Sequence, residues 1–304
     1  MDLVTYLSFN GQCESAFRHY EKVLGGKILM MLKGSDAPSG TPVDPQFRDR
    51  VMHARLEVDG RLLMGGDAPG GQDVRPQGFS AHIKIDDPGD AERIFRELSE
   101  GGTVHVPLAE AFWARRFGML TDRFGTPWMV NCEKPFGVPE TEGTPFVISR
   151  TFEAPRPLLW ACFTEEERMK RWWGPKGVRI AWSKIDFRPG GRHHYAMQLP
   201  DGKMMWGRQV YREISAPEKI ILVNSFSDEF GGLGRHPLAP SWPIELHTVF
   251  AFEEAGPAKT KFTVTWTPIY PTTEERAAFD GGHASMTGGW GGTFDQLEEY
   301  LKTL

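Results

Sequence analysis

The sequence has few cysteines, no long apolar run and no excess of positive charge. Its three cysteines, Cys13, Cys132 and Cys162, are far apart and odd in number, which excludes a disulfide framework and favours a reduced, cytoplasmic protein. No apolar run reaches the roughly 18 residues of a membrane span, and the N-terminus lacks the pattern of a secretion signal. The net charge of −5 argues against a nucleic-acid partner, which requires a basic face.

Signatures of common catalytic classes are also missing. We find no phosphate-binding glycine loop, no Ser–His–Asp order, no Cys–His pair and no paired carboxylates in a supporting context. The acidic run at Glu165–Glu167 is typical of a solvated helix start. What the chain does have is length and aromatic content: 304 residues with 10 Trp and 20 Phe, enough for two domains with aromatic-rich interiors.

A Pro-, Gly- and Glu-rich stretch, PFGVPETEGTP, divides the chain. It has no apolar periodicity and is typical of a linker. We therefore predict a first domain over residues 1–134, a linker over 135–145 and a second domain over 146–304.

The first domain contains a weak internal duplication. A strand at Leu3–Phe9 leads into an amphipathic helix that stops at Gly25-Gly26, and a hairpin turns at Asp59-Gly60. The second half repeats this order with a strand at Phe79–Ile85 and a helix that stops at Gly101-Gly102. The pattern predicts an α+β fold of order βαβββ–βαβββ, whose strands curl into an incomplete barrel around a pocket.

The second domain has a different predicted order of strands and helices. A strand at Phe146–Phe152, a helix after Pro155 and about six further strands precede a long closing helix. The apolar stripe of that helix is Met286, Trp290, Phe294, Leu297 and Leu301. Its start, GGHASMTGGWGG, is rich in glycine, which destabilises a helix by about 1 kcal/mol per residue. Two alternative explanations of this glycine content stay open: room for a ligand, or a frayed first turn of the helix.

The first domain resembles the PhnB-like branch of the vicinal-oxygen-chelate (glyoxalase/bleomycin-resistance) superfamily. The matching stretches include YLSFNGQCESAFRHYEKVLGGKI, MHARLEVDGRLLMGGD and FWARRFGMLTDRFGTPWMVNCE. The resemblance implies a small-molecule pocket and frequent dimerisation, and we expect a homodimer through this domain. It does not imply one reaction, because members include glyoxalases, dioxygenases, epimerases, thiol transferases and antibiotic-sequestering proteins.

The second domain resembles the heat-shock-protein-90 ATPase activator homologue group of the START/SRPBCC helix-grip fold. The matching stretches include SRTFEAPRPLLWACFTEEERMKRWWGP, DFRPGGRHHYAMQLPDG and GGWGGTFDQLEEYL. The resemblance implies an antiparallel sheet wrapped on a long C-terminal helix. The additional partner-binding domain of the eukaryotic activator is absent here, so chaperone activation does not carry over.

The superfamily's metal ligands lie on the first and last strands of each module, and we expect no metal and no other cofactor here. The positions that the resemblance aligns with ligands hold one plausible imidazole, His82, and no carboxylate; the others are Thr5, Leu62, Met64, Ser80, Met129 and Asn131. Glu133 and Asp67 lie at strand ends and could act as metal ligands only if the strand register is shifted.

We predict two pockets. The first has candidate ligand-binding residues on the strands and beside the last hairpin: Thr5, Leu7, Phe9, Ser80, His82, Trp113, Arg116 and Met129. The second has an aromatic lining: Trp173, Tyr195, Met197, Trp206, Trp266, Met286 and Trp290. Strand alternation places His193 on the face of Tyr195 and His194 on the other.

Three functions stay open. The leading prediction is a protein that binds a small hydrophobic or amphiphilic molecule, with a role in detoxification or sequestration. The first alternative is a metal-independent lyase, isomerase or cyclase-like enzyme in which His82 or His283 transfers a proton. The second is a dimerising interaction module. Cys13, at a helix start, is either a reactive thiol or a core residue.

Overall fold

The computed structural model describes residues 3–68, 78–141 and 143–304. The chain forms two compact units, Met1–Lys134 and Pro135–Leu304. Each unit has its own buried hydrophobic core.

The first unit contains two modules of the same topology, which confirms the predicted fold class. In the first module the strand order is β1-β4-β3-β2, and β1 runs parallel to β4. The second module repeats this arrangement as β5-β8-β7-β6, with β5 parallel to β8. The elements are β1 Thr5–Phe9, α1 Cys13–Leu24, β2 Lys27–Lys33, β3 Val51–Val58, β4 Arg61–Asp67, β5 Ala81–Lys84, α2 Pro88–Ser99, β6 Thr103–Ala109, β7 Ala114–Thr121 and β8 Pro127–Glu133.

Local sequence explains where the two helices begin and end. Helix α1 ends at Gly25, whose φ of 69° is the left-handed conformation that glycine adopts without strain. Helix α2 begins after Asp87, whose carboxylate accepts hydrogen bonds from the backbone N–H of Gly89 and Asp90. Both helices bury their apolar stripes in one core, which includes Phe17 of α1 and Leu98 of α2.

The second unit is one antiparallel sheet with helices against it. The strand order is β10-β11-β12-β13-β15-β16-β9, and the short β14 pairs with β13. Eight strands form where the sequence predicts about seven. The elements are β9 Phe146–Phe152, α3 Arg156–Thr164, α4 Glu166–Met169, β10 Arg179–Ile185, β11 Arg192–Gln198, β12 Met204–Ser215, β13 Lys219–Ser227, β14 Leu233–Gly234, β15 Leu246–Gly256, β16 Lys259–Pro268, α5 Thr273–Gly281 and α6 His283–Leu301.

Helix α6 lies against the sheet through the predicted apolar stripe. Met286, Trp290, Phe294 and Leu297 are buried. The Phe294 ring packs edge-on against Phe152 of β9 at 5.7 Å, and the Trp290 ring contacts Phe250 of β15 at 6.0 Å. The helix is therefore anchored on the strands at one end of the sheet path.

The middle of the predicted linker, Glu140 and Thr141, bonds to strands and loops of the second unit. The Glu140 carboxylate accepts from Arg212 at 2.6 Å, and its carbonyl accepts from Tyr270 N at 2.9 Å. Thr141 forms a β-bridge with Ile269. These bonds tie the described part of this segment to the unit that follows it.

Candidate functional site

A cavity of about 190 Å³ lies between helix α6 and the sheet of the second unit. Strands β11, β12, β13 and β16 supply one side, α6 supplies the other, and the segment after α4 closes one end. Fifteen residues line it: Trp173, Gly174, Pro175, Tyr195, Met197, Met205, Gly207, Asn224, Ser225, Phe226, Trp266, Met286, Gly289, Trp290 and Thr293.

Two glycines leave space at this site. A Cβ atom on Gly207 of β12 would lie 2.6 Å from the Tyr195 ring, so only glycine allows the ring to cross the neighbouring strand. Gly289 of α6 is exposed, and a Cβ atom there would meet no atom within 4 Å. Because Gly289 both lines the cavity and is exposed, it lies at the cavity mouth.

Aromatic rings form the walls. Trp173 packs edge-on against Tyr195 at 6.1 Å and against Trp290 at 5.8 Å. Trp266 completes the wall at 5.5 Å from Trp290. Such an arrangement offers both ring faces and ring edges to an apolar ligand.

A buried polar pair lies behind the Tyr195 ring. His193 is fully buried; its Nε2 lies 3.1 Å from Ser183 Oγ, and its ring is 4.7 Å from that of Tyr195. Burial lowers the pKa of His193 to about 4 and raises that of the Tyr195 hydroxyl to about 12. Both groups are therefore neutral at physiological pH.

Six of the residues that the sequence places in this pocket line the cavity. They are Trp173, Tyr195, Met197, Trp266, Met286 and Trp290. His283 is not among the lining residues; its ring packs instead between Phe146 and Phe279. Sequence reasoning missed Met205 and Gly207 of β12 and Asn224 and Phe226 of β13, because the cavity-facing positions of these strands depend on their register with β11 and with each other.

The placement of Trp206 in the cavity was wrong. Met205 and Gly207 face the cavity, so alternation turns Trp206 to the opposite side of β12. There its ring stacks on His194 at 5.0 Å and contacts Trp182 at 5.7 Å. His194 thus lies on the side that the sequence predicts for it, away from His193.

Each sheet of the first unit has one face covered by a helix and one that is not. On the uncovered face of the first sheet, Tyr6, Met64, Arg55 and Met30 form a row across all four strands. The equivalent row on the second sheet is His82, Met129, Met119 and Val106. All eight side chains are exposed or half-buried, so these two rows define what we call the open faces.

Two predicted pocket residues of β1 lie on the wrong face for that role. Leu7 and Phe9 are buried against α1, and Phe9 contacts the Phe17 ring at 6.2 Å. Thr5 has the same parity on the strand, so Tyr6 and Ser8 hold the open-face positions. Alternation in the sequence separates these two faces of β1 but does not say which one a helix covers.

The candidates in the second module are divided between the two faces. His82 and Met129 are register partners on the open face, and Ser80 directly precedes β5. Trp113 is exposed and packs on Phe117 at 5.2 Å. Placing Arg116 in the pocket was wrong: its Nε donates to Glu92 of α2 at 2.6 Å, which holds it on the helix-covered side.

No described residues form a metal-binding cluster: within 3–68, 78–141 and 143–304, no three His, Cys, Asp or Glu side chains are grouped suitably. Asp67 is engaged as an acceptor for the N–H groups of Gly11, Cys13 and Val51. Glu133 pairs with Lys84 at 3.0 Å. The expected lack of a metal stays a prediction, which elemental analysis of the purified protein tests.

Of the two interpretations of Cys13, a reactive thiol or a core residue, the structure favours the core residue. Its side chain is fully buried at the start of α1. Burial, together with the nearby Asp67 charge, raises the pKa of its thiol to about 12. A thiol with so high a pKa is not a nucleophile at neutral pH.

Within the described ranges, no helix has both the length and the apolar character needed to cross a membrane. Two family models match the chain. The model described as 3-demethylubiquinone-9 3-methyltransferase matches residues 1–131. The model described as Activator of Hsp90 ATPase homolog 1-like protein matches residues 153–302.

Similar proteins match one unit at a time. Protein YjdN of Escherichia coli is 32% identical over 142 residues, which covers 44% of this chain and 97% of the relative. Protein PA1353 from Pseudomonas aeruginosa, a crystal structure, is 46% identical over 44% of this chain and 98% of its own, with a TM-score of 0.41. Protein Ms6760 from Mycobacterium smegmatis is 22% identical over 52% of this chain and 90% of its own, with a TM-score of 0.43.

The matched ranges follow the two units, one family to each. The βαβββ modules lie in the range of the first model, and the antiparallel sheet with its closing helix lies in that of the second. The chain therefore belongs to the PhnB-like family through its first unit, and residues 153–302 of its second unit match the model of the Activator of Hsp90 ATPase homolog 1-like family.

Proposed function

We propose that the second unit binds a small hydrophobic or amphiphilic molecule in the cavity beneath α6. The observation that carries this proposal is the aromatic-walled space of about 190 Å³, with Trp173, Trp266 and Trp290 on its sides. A space with this aromatic lining is typical of ligand sites, and a void between packed rings forfeits dispersion contacts that a ligand restores.

The biological role that we propose is sequestration or detoxification of such a molecule in the cytoplasm. All three cysteines lie in the described ranges and are buried free thiols, which suits a reducing compartment. If the first unit also holds a ligand, the fusion raises the local concentration of one pocket near the other.

The cavity mouth offers a matched pair of variants for the test. Gly289→Leu places an apolar side chain at the mouth, whereas Gly288→Leu adds the same side chain one residue earlier on α6, outside the lining. Native mass spectrometry of protein purified from cells should show a co-purified small molecule. We expect Gly289→Leu to lose it and Gly288→Leu to retain it.

Equal retention by both variants, or no bound molecule together with no hit in a thermal-shift screen of hydrophobic metabolites, would contradict the proposal. His283 and His82 provide a further check against the enzymatic alternative. Neither lines the cavity, so His283→Ala and His82→Ala should leave ligand affinity unchanged. Loss of a measured turnover in either variant would instead favour an enzyme.

The open faces of the first unit favour a second proposal, a homodimer. Exposed apolar residues lie on both of them, including Tyr6, Met30 and Val106. We propose that a second copy of the chain covers these faces, because the two modules share one topology and a two-fold axis would pair each open face with its counterpart. Burial of both faces would then complete a pocket between sheets.

Light scattering coupled to size exclusion tests the dimer. We expect twice the chain mass of 34.2 kDa for the native protein. Met30→Glu and Val106→Glu should shift it to the monomer, because each buries an unpaired charge in the interface. Leu238→Glu, at an exposed apolar position of the second unit, is the control. A native protein that stays at the monomer mass at high concentration would rule the dimer out.

A further inference from the structure

The sheet side of the cavity carries a polar side chain whose hydrogen bonds the fold leaves unused, Asn224 of β13. The residues of the same parity on this strand are Leu222, which is fully buried, and Phe226, which lines the cavity. Because side chains alternate along a strand, Asn224 lies on the same face, and it also lines the cavity. Its side chain therefore lies on the face of the sheet that meets the space beneath α6.

The amide of Asn224 is both accessible and unpaired. The residue is half-buried. Within the described ranges neither its Oδ1 nor its Nδ2 takes part in a hydrogen bond, and neither atom is sealed from a water-sized molecule. The Tyr211 hydroxyl, by contrast, is buried without a partner and out of a ligand's reach. An accessible amide can donate two hydrogen bonds and accept two.

Other polar side chains at this site are engaged within the protein. Gln209 is the register partner of Asn224 on β12, and its Oε1 lies 3.4 Å from His193 Nδ1. Thr293, which lines the cavity from α6, donates through Oγ1 to the Gly289 carbonyl at 2.9 Å. Asn224 differs from both, because its hydrogen-bonding capacity remains available to a ligand.

The rest of the lining offers no charge. Among the described residues that line the cavity, none is Asp, Glu, Lys, Arg or His. A carboxylate or ammonium group would lose its hydration there without gaining a counter-ion, which is strongly unfavourable. The polar group that suits Asn224 is therefore neutral. A group that both donates and accepts, as a primary carboxamide or a lactam does, can pair with the side-chain amide through two hydrogen bonds.

The volume sets the size of the apolar part. An engineered protein cavity of about 150 Å³ binds benzene, and this cavity measures about 190 Å³. We infer that it selects a neutral molecule of one ring with a carboxamide-type group, which pairs with the amide of Asn224 while the ring packs on the aromatic walls. Asn224 is then the specificity-determining residue of the site. This inference rests on the proposed function.

Three planar probes with the same arrangement of heavy atoms test it: benzamide donates and accepts, acetophenone only accepts, and α-methylstyrene does neither. Calorimetry on the full chain gives their affinities for the native protein and its variants. In Asn224→Leu we expect benzamide to bind at least about tenfold more weakly, acetophenone to lose less, and α-methylstyrene to change by less than about twofold. Benzoate, the charged isostere, should bind the native protein more weakly than benzamide.

Thr293→Val is the matched control, because it removes a polar group from the same cavity whose hydrogen bond stays within α6. This variant should keep the ratios of the three affinities. Asn224→Ala provides a second variant in case leucine disturbs the strand, and it should show the same selective loss of benzamide. Circular dichroism of each variant verifies that it is folded.

The outcomes separate the two proposals. If both Asn224 variants weaken all three probes equally, or leave the binding of benzamide intact, the role of Asn224 is overturned while ligand binding stands. If benzoate binds most tightly, the neutral ligand is wrong. If no probe binds but the native protein carries a co-purified molecule, the inference fails and the proposed function stands. If neither is found, both fail.

Discussion

At the scale of single residues, Asp67 shows how one buried carboxylate organises the first module. Its Oδ1 accepts from Gly11 N at 2.8 Å and Cys13 N at 3.1 Å, and its Oδ2 accepts from Val51 N at 2.9 Å. Gln12 at the helix N-cap gives no side-chain cap to α1. The end of β4 therefore supplies the cap that the local sequence lacks, and it ties α1 to β3.

Asp67→Asn should destabilise the protein by roughly 2–3 kcal/mol. The amide keeps one acceptor oxygen, but its NH₂ group then meets the N–H of either Val51 or the Gly11–Cys13 pair, and a buried donor loses its partner. Urea denaturation measures the change. Asp44→Asn is the control, because the exposed Asp44 caps the short 3-10 helix Pro45–Phe47 by accepting from Gln46 N, and asparagine caps equally well. Equal stability of the two variants would contradict the role of Asp67.

His193 makes stability depend on pH. Its folded-state pKa of about 4 lies below the value of about 6.5 for an unfolded chain. Between these values the unfolded chain binds a proton that the folded chain does not, so stability falls as the pH drops from about 6.5 towards 4 and is fully present above that window. Half-buried histidines such as His236 have pKa values lowered in the same direction.

Between pH 7 and pH 5, we expect the native protein to lose about 2 kcal/mol more stability than His193→Gln, which carries no titrating group there. Urea denaturation at both pH values measures the difference. His236→Gln, at a less buried site, should differ from the native protein much less. A His193→Gln variant with the same loss between pH 7 and pH 5 as the native protein would show that His193 does not set this dependence.

At the scale of elements, the structure of α6 shows whether its glycine-rich start is frayed or regular. The helix runs without interruption from His283 to Leu301, so its first turn is regular. Gly289 lines the cavity, whereas Gly288 and Gly291 adjoin open space and Gly292 packs close to the backbone of Lys176. Close packing therefore explains Gly292, and under the proposed function Gly289 leaves room for a ligand at the cavity mouth.

Gly288→Ala and Gly291→Ala should each stabilise the protein by about 1 kcal/mol, because alanine is the better helix former and its Cβ meets no atom within 4 Å. Thermal denaturation measures this gain as a higher Tm. Gly292→Ala serves as the contrast: its Cβ would lie 3.3 Å from Lys176 N, and the strain offsets the gain in helix propensity. A lower Tm for Gly288→Ala would mean that this position needs glycine for another reason.

At the scale of the whole molecule, each of the two cores belongs to one unit, so each unit is expected to fold when expressed separately. For separate expression, the second unit is best begun at Pro135 rather than after the predicted linker, because Glu140 and Thr141 bond to the second unit. Residues 135–304 should therefore be more stable than 146–304, by roughly 1 kcal/mol for the lost Glu140–Arg212 pair and backbone bonds.

Chemical denaturation of both fragments tests this boundary. Residues 135–304 carrying Glu140→Gln provide the control, since that change weakens the ion pair and keeps the backbone bonds. Its stability should fall between those of the two fragments. Equal stability of 135–304 and 146–304 would show that the segment contributes nothing to the second unit.

Local patterns in the sequence were sufficient to predict the helices and strands and their order. The stripe of α6, the glycine stops of α1 and the alternation through Tyr195 and Met197 follow from helical and strand periodicity, which act over a few residues. These patterns predicted the order of strands and helices in both units and most of the aromatic lining, whereas the wrapping of the second sheet on its closing helix came from the family resemblance. They failed at Trp206, because the phase of β12 depends on its register with β11.

Tertiary structure decided which face of each sheet meets a helix and which polar groups stay unpaired. Leu7 and Phe9 look like pocket residues in the sequence, but α1 covers their face; Arg116 looks like a ligand-binding cation, but Glu92 of α2 holds it. Periodicity defines two faces of a strand and cannot say which one is covered, since that depends on packing between residues distant in the chain. The sequence by itself determined the elements and the two-part division, whereas long-range packing determined the cavity and which faces of the strands line it.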